Sequence, residues 1–253
     1  MEARFSIDKI GMIFDILTIC PQAVKLYFEE GIIKRAQKKK LIKINLHNIR
    51  DYATDKHKIV DDSPYGGGPG MVMKIEPIWK CVTKIKNQKM SVRKTGKIKN
   101  LQTKIILLSP RGKIFNQSMA KRWSKLDRLI AISGRYEGVD ERVADYIADE
   151  TVSIGNYILM GGELAAMAIV ETVARLISGV IGDETKWLQK KSAQTRKKEI
   201  KNRIMGFTEF PQYTKPEIFK AGKKKKWAVP PVLLSGNHAE IEGWRKKRIW
   251  VIK

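Results

Sequence analysis

The stretch from Ser133 to Leu164, SGRYEGVDERVADYIADETVSIGNYILMGGEL, sets three glycine-bearing turns behind short apolar runs. Ile130-Ala131-Ile132 leads into Ser133-Gly134, Val152 leads into Ser153-Ile154-Gly155, and Tyr157-Ile-Leu-Met160 leads into Gly161-Gly162. Glycine admits positive φ and lets backbone N–H and C=O groups come close to a ligand. Open α/β sheets bind ligands in the crevice at their strand ends, so these turns are expected to meet at one small-molecule pocket. Taken singly, each also fits an ordinary loop, because glycine punctuates loops everywhere.

Outward from that segment, apolar runs alternate with helical periodicity. Strands are expected at 13–19, 41–46, 104–108 and 128–132. Helical spacing covers 22–40 with an interruption at Gly31, then 71–85, 117–125, a turn at 141–145, and 163–177. Ser109-Pro110-Arg-Gly112 should close the strand that ends at Leu108. This alternation predicts an α/β domain with a mainly parallel sheet over 12–182, preceded by an extension at 1–11. Residues 86–103 read as an exposed basic insert, and 183–208 as a basic interdomain linker. A small module follows at 209–253, with a helix capped by Ser235 or Asn237.

Lys and Arg number 50 against 26 Asp and Glu, a formal net charge of +24. A chain this basic repels itself unless a polyanion is its partner, which points to nucleic acid; an AT-rich genome is the competing account of so many lysines. The basic residues lie beside no Trp/Phe-rich amphipathic helix, which argues against a membrane surface. No apolar run approaches the roughly 18 residues that span a bilayer. The start, MEARFSIDKIGM, lacks the features of a signal peptide, so the chain is expected in the cytoplasm. Cys20 and Cys81 show no C-x-x-C spacing and read as buried thiols, while His47, His57 and His238 are too scattered for a metal triad.

Six stretches together resemble one family: VDDSPYGGGPGMVMK (60–74), LLSPRGK (107–113), SGRYEGVDERV (133–143), SIGNYILMGGELAAM (153–167), FPQYTKPEIF (210–219) and VLLSGNHAEIEGWR (232–245). In this order they resemble the bacterial tRNA (guanine-N1)-methyltransferases of the TrmD type, within the SPOUT class. The resemblance implies a deep trefoil knot in the C-terminal half of the α/β domain, followed by a small, mostly helical module that binds tRNA. It also implies S-adenosylmethionine bent within the knot, held by Leu108, Ser109 and Pro110, by Gly134, Tyr136 and Glu137, by Ile154, Gly155, Asn156, Tyr157, Ile158 and Leu159, and by Gly161 and Gly162. Asp62, Tyr65, Gly66, Gly67 and Gly68 would shape the guanine pocket. The family works as a homodimer with each site at the subunit interface, and its activity depends on magnesium, for which no ligand set can be read here.

Methylation at N1 of guanine requires removal of the N1 proton, hence a general base. Negative charge then grows toward O6, where a cation stabilises the transition state. Arg175 matches the family's catalytic arginine; the competing reading is a helix-end arginine paired with Glu171 at i−4. The family places an Asp or Glu followed by Ser ten residues before the Pro of PQYT, and counting back from Pro211 gives Lys201 and Asn202. With a small shift of the linker, Glu199 is the nearest carboxylate, and Glu209 is the fallback. The resemblance therefore implies methylation of N1 of the guanosine at tRNA position 37. A catalytically weakened RNA-binding homologue is the alternative, suggested by the departure at Lys201, by the lysine-rich inserts and by an end at Lys253, before the further helical residues usual in the family.

Overall fold

The computed structural model describes residues 11–67, 69–88, 101–181, 211, 213–214, 216–221 and 225–248. Contacts divide the chain into two units, Met1–Lys190 and Lys191–Lys253. Residues 1–10 of the expected extension at 1–11, residues 89–100 of the basic insert expected at 86–103, and the whole linker at 183–208 lie outside the described residues.

The first unit is built on a five-stranded sheet. Its strands are β1 (Met12–Thr18), β2 (Ile42–Asn48), β5 (Thr103–Ile114), β6 (Arg128–Ser133) and β7 (Glu150–Ser153), in the order β2-β1-β6-β5-β7. Every neighbouring pair is parallel. All residues of β1 and of β6 are buried, the mark of interior strands with both faces covered.

Two apolar layers sandwich the sheet. On one face, α1 (Pro21–Phe28), α2 (Gly31–Lys38), α4 (Gln117–Trp123) and α6 (Glu163–Ala174) pack Val24, Phe28, Ile33, Trp123, Ile169 and Val173 against Phe14, Ile16 and Leu129. On the other, α3 (Ile75–Lys86) and α5 (Arg142–Tyr146) set Ile78, Val82, Ile85 and Val143 against Leu17, Ile105, Ile130 and Ile132. Among the described residues no helix is long and apolar enough to cross a membrane.

The structure redraws several expected elements. The helix expected over 22–40 is two, parted at Gly31, whose φ of +60° suits a residue without a Cβ. The helix expected from Met71 starts only at Ile75, because Val72–Met73 form a short strand, β4, antiparallel to β3 (Asp61–Asp62). The strand expected to stop at Leu108 continues to Ile114. Its register against β7 shifts between Leu108 and Lys113, both of which face Val152, so residues 109–112 form an unpaired excursion. Pro110 has no N–H to give a ladder and falls inside it. Gly112 sits so close to β7 that a Cβ there would come within 2.3 Å of the Val152 nitrogen. Cys81 is buried as expected, and burial pushes its thiol up to about 12; Cys20 is only partly buried.

The second unit, expected to be mostly helical, has a hairpin beside its α-helix among the described residues. Strands β8 (Ile218–Ala221) and β9 (Lys225–Ala228) pair antiparallel, with Phe219 stacked on Trp227 at 5.8 Å. Helix α7 (His238–Lys246) is capped by Asn237, whose side chain accepts from the Ala239 and Glu240 amides. Ser235 instead accepts from the Asn237 amide, one step before the cap.

Candidate functional site

Strands β6, β5 and β7 lie side by side; the 134–140 loop follows β6, the 109–112 excursion lies within β5 near its C-terminal end, and the 154–162 loop follows β7. The first and last of these pair with each other although β5 lies between their strands. Arg135 bridges Gly161, and the Gly162 amide donates to the Gly134 carbonyl at 2.9 Å. The chain leaving β7 therefore reaches past the end of β5 to the loop of β6. A fourth segment joins from outside the sheet. Glu137 donates its amide to the Met71 carbonyl, and Met73 exchanges backbone bonds with Gly138 and Asp140. The glycine-rich 60–74 stretch is thus tied to the 137–140 turn.

The glycines of this cluster do a different job from the one expected. Gly134, Gly155, Gly161 and Gly162 all keep φ outside the left-handed region; among the loop residues, Gly138 and Tyr136 hold positive φ. Their lack of a side chain lets protein segments touch one another. A Cβ at Gly162 would lie 2.8 Å from the Ser133 Cα, and one at Gly161 would lie 2.4 Å from Arg135 Nε. At Gly155 the conflict is with the Tyr157 ring, 2.3 Å away. Tyr136, at φ +60°, stores strain that a bulky residue rarely accepts, a feature that gathers at ligand sites. Its hydroxyl accepts from Arg50 at 3.2 Å.

Around these backbones the surface is apolar. Tyr136, Tyr157, Ile158, Met160 and Leu164 are all exposed, Met160 at 91%. Leu108 is buried, and Ser109 accepts from the Arg111 amide at 3.3 Å. Ser153 ties its loop by donating to the Gly155 carbonyl at 2.8 Å, and Tyr157 donates to the Ile154 carbonyl at 3.3 Å. The Glu137 side chain lies over Gly70, where a Cβ would meet it at 2.5 Å. Ser109, Pro110, Gly134, Tyr136, Glu137, the 154–159 run, Gly161 and Gly162 thus lie on the excursion of β5 and the loops that follow its two neighbours, with Leu108 in β5 just before the excursion.

The expected substrate residues lie on the attached stretch. Asp62 pairs with Lys74 at 3.5 Å, Tyr65 is wholly exposed, and Gly66 and Gly67 make a turn at φ +84° and +77°. Gly68, Glu199 and Glu209 lie outside the described residues. Arg175 caps the C-terminus of α6 and is exposed, its amide bound to the Glu171 carbonyl at 3.0 Å. Among the described residues it makes no ion pair. The Glu171 carboxylate accepts the Tyr27 hydroxyl instead, and that bond raises the Tyr27 pKa.

A model of the family described as tRNA (Guanine-1)-methyltransferase TrmD matches residues 12–250. The chain belongs to this family. It is 47% identical over 233 residues to the tRNA (guanine-N(1)-)-methyltransferase of Dictyoglomus turgidum, covering 92% of this chain and 83% of that one. Proteins of the same description from Geobacter sulfurreducens (44% over 237 residues, 94% and 86%) and Dehalococcoides mccartyi (42% over 236 residues, 93% and 85%) are similar throughout. Residues 12–250 take in the whole cluster of loops just described, from the 60–74 stretch to Arg175.

Two residues at this cluster, Glu163 and Arg135, escape a reading of the sequence. Glu163 opens α6 and is buried, accepting from Thr18 at 2.7 Å and from Arg135 at 3.0 Å. Both stand inside quoted motifs, GGEL and GRYEG, yet nothing in those strings tells that they meet.

Proposed function

We propose that the chain transfers a methyl group from S-adenosylmethionine to N1 of the guanosine at position 37 of tRNA, in the cytoplasm. Support comes from the family match over 12–250 joined to the cluster of loops at the ends of β6, β5 and β7. The residues there suit the cofactor. Exposed Tyr136, Tyr157 and Ile158 offer apolar surface for the adenine, while the turns at 109–110 and 154–162 bring backbone groups to it. When bound, the cofactor supplies a methyl group on a sulfonium, open to in-line attack by the deprotonated N1.

In this reading the 154–162 segment and the strand ends it crosses form the trefoil knot, and Asp62, Tyr65 and the 66–68 glycines shape the entry of the guanine. Arg175 holds its guanidinium at O6 as charge develops, and Glu199, or Glu209 in its place, takes the N1 proton. The exposed apolar set Ile158, Met160 and Leu164 fits an interface with a second copy, which makes the working unit a homodimer. The second unit binds tRNA, and magnesium assists by the family's example.

The reading is tested with a tRNA transcript and cofactor carrying a labelled methyl group. Label should enter a transcript with guanosine at position 37 and not one with adenosine there. Equal labelling of both refutes the site, and no labelling of either favours the RNA-binding homologue, which Lys201 in place of the base suggests.

The net charge of +24 leads to a second expectation. Neutralised phosphates release counterions, so log affinity for tRNA should fall linearly with log salt, at about 0.7–0.9 per phosphate contacted. A slope near zero in a salt titration would mean that the lysines are merely solvated.

A further inference from the structure

Glu163 is 4% exposed, and burial of a carboxylate is costly unless it is paired and hydrogen-bonded. Its two oxygens are both engaged. Oε1 accepts from Thr18 Oγ1 at 2.7 Å, at the end of β1, and Oε2 accepts from Arg135 Nε at 3.0 Å, in the loop of β6. Thr18 Oγ1 in turn accepts from the Cys20 amide at 2.9 Å, so the chain leaving β1 is tied into the same set. A Cβ at Gly161 would fall 2.5 Å from Glu163 Oε2 and 2.4 Å from Arg135 Nε, so the ion pair lies flush against the Gly161 backbone. Arg135 is itself bridged to Gly161. One carboxylate therefore joins the ends of β1 and β6, the 161–162 turn and the start of α6.

Buried ion pairs add little net stability over an apolar pair of similar shape, because desolvation offsets the attraction. They do supply direction: two charge-assisted bonds with fixed geometry hold the joined segments in one arrangement. The methyl transfer outlined above gives Glu163 no chemical task. We propose that Glu163 is a positioning residue for the cofactor, holding the 134–136 and 161–162 backbones at the spacing that S-adenosylmethionine requires. This rests on the reading that the cofactor lies among these loops.

The test measures S-adenosylmethionine affinity by calorimetry on the full chain, with melting temperature and tRNA affinity alongside. Glu163→Ala should weaken cofactor binding by about 10²-fold, the scale on which small misplacements of binding groups act, and leave tRNA affinity unchanged. Glu163→Gln should restore most of it, since its carbonyl can accept from Arg135 while the Thr18 hydroxyl turns to accept from its amide. Ile78→Ala, in the core on the opposite face of the sheet, should lower the melting temperature without that loss of affinity. Should Glu163→Ala fail to fold, Thr18→Val, which deletes one of the two bonds, should show a smaller loss in the same assay. Wild-type affinity in Glu163→Ala, or in Thr18→Val where that variant stands in, would overturn the proposal and leave the reading of the pocket intact. A loss no greater than that of Ile78→Ala would also overturn it, by making Glu163 a stability residue only. If the wild-type protein takes no S-adenosylmethionine, the pocket reading falls and this inference with it.

Discussion

Arg175→Ala is expected to slow single-turnover methyl transfer by about 10² to 10³ while leaving S-adenosylmethionine affinity unchanged, on the proposed reading of the site. As the N1 proton leaves guanine, charge collects toward O6, and a fixed cation there lowers the barrier without holding the ground state more tightly. Arg175 is suited to that task by what it does not do. It stands exposed at the end of α6, and among the described residues it makes no ion pair; Glu171, four residues back, takes the Tyr27 hydroxyl. Arg175→Lys keeps the charge but loses the planar fork, and an intermediate rate is expected. Glu199→Ala should lower the rate by about 10² to 10⁴, the usual worth of a general base. Rapid-quench measurements at saturating tRNA and cofactor read both. An unchanged rate in Arg175→Ala removes it from the chemistry. Full activity in Glu199→Ala with loss in Glu209→Ala would hand the base to the fallback carboxylate.

Asp15→Ala should destabilise the first unit by about 3–5 kcal/mol, the range for breaking a buried ion pair from one side. Asp15 is wholly buried in β1, where Oδ1 accepts from Asn45 Nδ2 and meets His47 Nε2, both at 2.8 Å. Its Oδ2 comes within 3.2 Å of Arg128 Nε, an ion pair that lacks hydrogen-bond alignment, and Arg128 also donates to the Ile85 carbonyl at 2.8 Å. Removing the carboxylate leaves the buried Arg128 guanidinium without a counter-charge. At about 2–4 °C per kcal/mol for a domain of this size, the melting temperature should fall on the order of 10 °C. The double variant Asp15→Leu with Arg128→Met should recover most of the loss, because removing both charges removes the desolvation cost as well. Thermal unfolding of the single and double variants checks this. A double variant as unstable as Asp15→Ala would show that Asp15 acts through Asn45 and His47 instead.

The interior strands were legible because a parallel strand covered on both faces reads as an apolar run, unbroken in Leu129–Ile132 and interrupted in Ile13–Leu17 by Asp15 alone. The break at Gly31 and the cap at Asn237 were legible for a similar reason, since each is decided within one or two turns of chain. By contrast, the continuation of β5 past Pro110 depends on Val152 receiving both Leu108 and Lys113, and no residue near Pro110 announces that partner. Val72–Met73 likewise became a strand because Asp61–Asp62 and the 138–140 turn lie beside it, against a helical spacing that favoured the other outcome.

At the site, the sequence by itself determined that glycine-bearing turns follow apolar runs, that six motifs stand in the order of one methyltransferase family, and that the chain carries a charge of +24. Tertiary structure alone decided that the turns of 134 and 161 pair across β5, and that their glycines make room for protein rather than turn with positive φ. It alone brought Glu163 to Thr18, 145 residues away. Local preference is set by a few neighbours along the chain, whereas register, crossing and buried charge pairing are set by whichever segments the collapsed sheet brings together in space.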